Sequence, residues 1–419
     1  MRILTLPLLL TSVCGLAHDM VPGTAQQQAI LFTHATVHTA SNGVLENTNV
    51  LVENGRIAAM GEQIQAANAR VIDATGKHLY PGLIALDTQV GMVEIEMVRP
   101  TVDTQDVGLN NAELKASSVF NPDSEIIPTL RKNGITHAQI VPRGELLAGQ
   151  SALVNLDSWT VEDALVDSPA ALHLYWPELG NLPVKDEERS KALTAHGEAL
   201  AQIDTLFSEA SAFVQRKAAE PSLTHRRFEA MAPLFRGDTT LFLHANTAGA
   251  IGEVLTFVKK YQLKAVLVGG YEAWHHGDAI KAAGIAVVYP SVFSLPRYRD
   301  DNIDEAFSIP ARLADAGIDF AIGYSGDWDA RNLPYAAGYA AAHGLGKEAA
   351  LKAVTLNAAR ILGVSDMGAI EVGYRANLVL SGGDILDPLS SRIEQVFIDG
   401  REITLKTRAD QLYQKYLKR

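Results

Sequence analysis

Two segments made only of short strands enclose a long middle in which strands alternate with helices, and that order leaves the chain few architectures. In the middle, apolar runs of strand length occupy residues 83–90, 135–141, 152–156, 240–245, 265–269, 286–289 and 320–323. Stretches with helical periodicity fall between or after them, at 191–219, 248–261, 303–316 and 347–362. Alternation of this kind predicts parallel strands, because a crossover of helical length is what brings the chain back to the same end of the sheet. The first strand-only segment, 30–80, contains Asn54-Gly55 between two apolar runs, a strong hairpin signal. The second, 369–405, carries the turn Asp399-Gly400 between its own two runs. One such segment before the middle and one after it predict a single small β-sandwich built from both ends. Residues 406–419 read as a basic amphipathic helix.

The N-terminus has the pattern of an export signal. Arg2 is followed by a mostly apolar run, 3–13, too short to span a bilayer. Gly15 and Ala17 place small residues three and one before a cut after Ala17, and a second candidate cut follows Ala25. The expected destination is the periplasm or the outside of the cell. Val13 stands before Cys14 where a lipoprotein signal would carry a small residue, so lipidation is the disfavoured reading. Cys14 is the sole cysteine. Its removal with the signal excludes disulfides and thiolate catalysis in the mature chain. No other apolar run is long enough for a transmembrane segment. With a net charge of -12 and no Lys/Arg run, nucleic acid and anionic membranes are unfavourable partners. A small-molecule substrate is the expected partner.

Several stretches in order resemble the amidohydrolase superfamily, nearest to imidazolonepropionase-like members. They are Val52-Glu53-Asn54-Gly55-Arg56-Ile57; Asp73-Ala74-Thr75-Gly76-Lys77 with Tyr80-Pro81-Gly82-Leu83-Ile84; residues 351–363; residues 368–380; and residues 396–401. The resemblance implies an α/β fold: a (β/α)8 TIM-like barrel over 81–368, flanked by the composite sandwich of 30–80 with 369–405. It also implies a hydrolase acting on carbon–nitrogen bonds other than peptide bonds, in a small cyclic or linear amide.

The site is where this chain departs from the pattern. The family carries a His-x-His pair at the end of the first barrel strand; here Asp87 and Gln89 stand at those positions. Aspartate is a usable hard ligand and glutamine a poor one for a transition metal. The reading placed first is that both hydrogen-bond inside the barrel. His244 matches the histidine that ends the fifth strand, and Asp327 the eighth-strand aspartate that binds metal or moves the proton of the attacking water. The sixth-strand histidine is replaced near Gly269-Gly270, and His275 and His276 are expected on the next helix as surface or supporting residues. Asp87, His244 and Asp327 are therefore the surviving candidates for a metal, with His244 and Asp327 as catalytic residues. The cofactor expected is one divalent ion, Zn²⁺ or Mn²⁺, at low occupancy, or none. Gln89, Glu94, Gln150 and Tyr324 are the candidate substrate contacts; for Glu94, as for Glu96, Asp103 and Asp106, a solvated loop is the reading placed ahead. Two alternatives stay open: a non-catalytic binding protein on this scaffold, and a metal-independent hydrolase using an Asp–His pair.

Overall fold

The computed structural model describes residues 21–167, 171–180 and 182–419. The export signal read over residues 1–17 lies outside them. Five strands come first: β1 (Ile30–His38), β2 (Val44–Glu53), β3 (Arg56–Gly61), β4 (Arg70–Asp73) and β5 (His78–Pro81). Then come β6 (Leu83–Thr88), β7 (Ile135–Ile140), β8 (Leu147–Asn155), β9 (Ala171–Tyr175), β10 (Thr240–Ala245), β11 (Ala265–Gly269), β12 (Ala286–Tyr289) and β13 (Phe320–Ile322). The last are β14 (Leu378–Ser381), β15 (Ile393–Ile398) and β16 (Arg401–Glu402).

The two strand-only ends share one sheet, in the order β16-β15-β14-β5-β1-β2-β3, with β4 also on β1. The seam is the antiparallel pair β5–β14, where Leu79 faces Leu380. In a flat sheet β1 and β15, three places apart, would lie about 14 Å from each other. Instead the rings of Phe32 and Phe397 meet edge to face at 5.2 Å. The sheet is therefore folded over its own apolar core, which includes Phe32, Val37, Val50, Ile57, Leu380 and Phe397. At the Asn54-Gly55 turn both residues have positive φ, 51° and 75°, the geometry a two-residue hairpin of this type requires.

The middle forms a barrel in chain order from β6 to β13. It closes where the Tyr324 amide donates to Leu86 at 2.9 Å and the Gln89 amide to Gly326 at 2.8 Å. One strand departs from the expected all-parallel barrel. β8 pairs antiparallel with both β7 and β9. Only residues 141–146 separate it from β7, too few for a helical crossover, so the chain turns back as a hairpin. β9 is a barrel strand that the apolar runs did not reveal. Inside the barrel, Ile84, Leu86, Phe242, Val266, Val268 and Val288 pack together. Outside, helices cover it. The long helix Asp186–Ala219 buries Ile203, Phe207, Ala210 and Phe213, one stripe at helical spacing. Its acidic first turn and basic last turn suit the helix dipole. The expected helix 347–362 is interrupted and becomes Lys347–Ala353 and Leu356–Ile361. Among the described residues no helix is long and apolar enough to cross a membrane.

The sheet and the barrel are joined through a buried charge. Asp157, just after β8, accepts from the Arg131 guanidinium at 2.7 Å. Its other oxygen accepts from the Gly23 amide at 2.9 Å and lies 3.8 Å from Arg401 of β16.

Candidate active site

Alternation along β9 and β10 sends Ala171, His173 and Tyr175, and likewise Phe242 and His244, into the barrel. The register sets Tyr175, His244 and Val268 at one level near the C-terminal ends of adjacent strands, the end at which barrels of this kind carry their sites. One level below, His173 lies over Phe242. The two imidazoles meet, His173 Nδ1 to His244 Nε2 at 2.9 Å, so one nitrogen carries the shared proton. Tyr175 stacks on His244 at 4.0 Å and donates its hydroxyl to the Pro142 carbonyl. Burial holds His173 down to about 3 and His244 well below the usual imidazole range, with Arg143 opposing protonation of both. Both rings are therefore neutral near pH 7.

Asp87 reaches this level by a break in β6. Leu86 packs inside the barrel, so strict alternation would turn the next residue out. Asp87 has φ 62°, and the pairing of β6 with β7 shifts register between Ala85 and Thr88. A bulge of this kind re-aims a side chain, and a non-glycine residue in the left-handed region stores backbone strain, which tends to gather at functional sites. The residue is 2% exposed. Ser325 donates its hydroxyl to Asp87 Oδ2, whereas Oδ1 is buried with no hydrogen-bond partner. Burial pushes the carboxyl above its usual range, against the pull of Arg143 and Ser325.

Asp87, His244, Tyr175, Arg143, Glu178 and Ser325 line a cavity of about 410 Å³ at the barrel mouth, with Trp176, Val268 and Pro290 as apolar wall. Of the residues read from sequence, then, Asp87 and His244 are brought together here. Asp327, 8% exposed, precedes the turn Trp328–Asn332 and does not line this cavity. Gln89 does not line it either: it lies behind Arg143, accepting at 3.0 Å from that guanidinium. Glu94 accepts from Asn121, and Gln150 donates to the Ala112 carbonyl, so both tie loops together. Tyr324 closes the barrel through its amide and meets Phe293 edge to face. These four are not cavity residues. His276 faces the Ala248 carbonyl and His275 stacks on Trp274, as supporting residues would. The residues missed from sequence are His173, Tyr175, Arg143 and Ser325. Leu172-His173-Leu174 carries the period-two signal that would have placed His173 inside a strand.

The ion that the resemblance implies finds a poor fit. Among the described residues no three His, Cys, Asp or Glu side chains are grouped to hold a metal, the trio Asp87, His244 and Asp327 included. The Gln89 carbonyl oxygen, its one possible ligand atom, already takes the Arg143 guanidinium. The His244 Nε2 is taken by His173. At the sixth strand the residue level with His244 is Val268. A side chain at Gly269 would sit at φ 99° and meet Asn246 Oδ1 at 2.5 Å, so no histidine fits there without rebuilding the loop.

Comparison with known proteins agrees with this architecture. An amidohydrolase from Thermotoga maritima MSB8 superposes with a TM-score of 0.78 at 25% identity, over 90% of this chain and 99% of that one. An adenosine deaminase from Xanthomonas campestris with bound zinc shares the fold, with a TM-score of 0.51 at 18% identity over 93% of this chain and 97% of that one. A dihydroorotase from Syntrophotalea carbinolica is 46% identical over 55 residues, a stretch that spans 13% of each chain. Residues 164–403, more than half of the 419, match the amidohydrolase family. On that match, and on a barrel that closes behind a site at its C-terminal mouth, the chain belongs to the amidohydrolase family.

Proposed function

We propose that this chain hydrolyses a carbon–nitrogen bond, other than a peptide bond, in a small cyclic or linear amide, and does so without the family's usual metal centre. The observation that carries the reading is Asp87: a strained, buried carboxyl at the mouth, one oxygen unpartnered and its proton affinity raised. A carboxyl raised in this way is a stronger base than an exposed one and a serviceable acid at the same pH. In the proposed reaction Asp87 Oδ1 takes a proton from water as the water oxygen bonds to the carbonyl carbon. The carbon–nitrogen bond then breaks, and the same carboxyl returns the proton to the departing nitrogen. The neutral His173–His244 pair and Tyr175 form the wall against which the amide lies. Support for hydrolysis comes from the family. The chemistry assigned to Asp87 rests on its surroundings. The alternative of a non-catalytic binder shares the missing metal ligands, and turnover is what separates the two readings. We also propose export, on the strength of Arg2 and the apolar run 3–13.

The test is turnover of a panel of small amides, lactams and imides by purified mature protein, with and without prior chelation. The expected result is turnover that chelation leaves unchanged and that Asp87→Asn lowers by about a hundredfold or more. Loss of turnover on chelation, or no turnover on any member, overturns the proposal.

A further inference from the structure

We infer that Arg143 makes the barrel mouth a site for an anion, where its family places a cation, and that its ligand is a small carboxylate with a flat apolar body. This deepens the function proposed above and rests on it only in taking the ligand for the substrate.

The argument begins with charge. Among the described residues no Asp or Glu oxygen lies within ion-pair distance of Arg143, although its guanidinium is half-buried and lines the cavity. The two carboxylates that share the cavity are otherwise engaged. Glu178 accepts from Arg297 at 2.7 Å and from the amides of Asn246 and Thr247. Asp87 Oδ2 accepts from Ser325, and neither of its oxygens lies within ion-pair distance of Arg143. Both imidazoles are neutral. Arg143 is therefore a half-buried cation at the mouth with no ion-pair partner among the described residues, and a partly desolvated charge of that kind favours an anionic ligand.

Geometry narrows the ligand. Guanidinium presents five N–H donors in a plane. Nη2 donates to Gln89 Oε1 at 3.0 Å and the guanidinium also reaches the Tyr175 hydroxyl, and these contacts set the orientation of the group. The remaining donors suit the two oxygens of a carboxylate better than they suit a single carbonyl. The rest of the wall is the Tyr175 ring stacked on His244, with Trp176, Val268 and Pro290, which favours a flat apolar body. A volume of about 410 Å³ admits a molecule near the small end of the range for ligands.

The experiment uses the mature chain and two isosteric probes, benzoate and benzamide, with affinity read by calorimetry. Benzoate is expected to bind and benzamide to bind about tenfold or more weaker. Arg143→Gln is expected to abolish that preference, and Arg143→Lys to restore part of it, since lysine keeps the charge and loses the planar fork. Circular dichroism establishes that each variant is folded. Equal affinity for the two probes, no measurable benzoate binding, or a preference that survives Arg143→Gln overturns the inference. Carboxylate binding without turnover of any amide would leave it standing and defeat only the hydrolase reading. Turnover of neutral amides without benzoate binding would do the reverse.

Discussion

Asp157 and Asp87 are both buried carboxyls, one where the sheet meets the barrel and one at the barrel mouth. Each oxygen of Asp157 is answered: one by Arg131 at 2.7 Å, the other by the Gly23 amide, with Arg401 beside it. Asp87 accepts from Ser325 on one oxygen and has no hydrogen-bond partner on the other. Its backbone is strained, and that of Asp157 is not among the residues with positive φ. The contrast separates two reasons for burying a charge. A carboxylate that joins elements is matched by its surroundings. One left unmatched imposes a free-energy cost on the fold and is kept for what it does to another molecule.

The first way to break the comparison is to remove the matched carboxylate. Asp157→Ala leaves the Arg131 guanidinium buried without its counter-charge. The expected loss of stability is about 3–5 kcal/mol, read by denaturant unfolding at pH 7. A loss below about 1 kcal/mol would mean that water or a neighbour takes over, and the distinction drawn here would lose its structural half.

Acid sharpens it next, because each end of the barrel buries a neutral imidazole. His137, flanked by the charges of Arg375 and Arg401, and His173 at the mouth are both held at about 3, chiefly by burial. Below pH 6.5 the unfolded chain binds protons that the folded chain refuses. Stability therefore falls as pH falls, from about 6.5 down to about 3. At pH 5 each imidazole costs about 2 kcal/mol relative to neutral pH. Unfolding free energies measured from pH 7.5 to 5 should show this slope, and His173→Gln should remove the share that belongs to that ring while leaving the one due to His244. A flat profile would show that these rings are hydrated or paired in solution.

A smaller effect tests the same joint from the chain's start. A cut after Ala17 leaves Gly23 in place to donate to Asp157; a cut after Ala25 removes that donor. A hydrogen bond to a charged group contributes about 1.5–3 kcal/mol, so the mature form beginning at His18 should be more stable by that amount than one beginning at Gln26. Mass spectrometry of exported protein is expected to find His18. An N-terminus at Gln26 with undiminished stability would remove Gly23 from the account of the joint.

Much of the fold could be read from local signals, and much of the mouth could not. Asn54-Gly55 and Asp399-Gly400 announced their hairpins because a two-residue turn constrains its own residues. The join of the two ends followed from order along the chain. The direction of β8 was missed because alternation looks the same read either way; only the shortness of 141–146 distinguishes a hairpin from a crossover. β9 was missed because it is short and carries a histidine where an apolar residue was sought. Asp87 and His244 were found through the resemblance. Arg143 and Ser325 were not, since what makes them members of the site is contact with residues 54 and 238 positions away, to Gln89 and Asp87. Such pairings are set by the barrel's closure, and no local pattern records them.

The smallest expected change in stability is also the most telling, and it falls on Asp87. Its carboxyl is raised because burial disfavours the charge more than Arg143 and Ser325 favour it. As pH rises through the unfolded value of 3.8 and then the folded one, the unfolded chain releases its proton first, so ionisation of Asp87 subtracts from stability near neutral pH. Asp87→Asn keeps the shape, removes that cost and can still accept from Ser325. Its melting temperature should therefore equal or exceed that of the parent, while turnover falls sharply. Asp327→Asn provides the control, because Asp327 does not line the cavity: its turnover should stay within about threefold of the parent, far inside the loss expected for a removed acid–base group. Calorimetric melting and initial rates on the same preparations decide both. If Asp87→Asn melts well below the parent, Asp87 is a structural carboxylate like Asp157. If Asp327→Asn is the variant that loses turnover, the reaction centre lies on the other side of the β6–β13 closure.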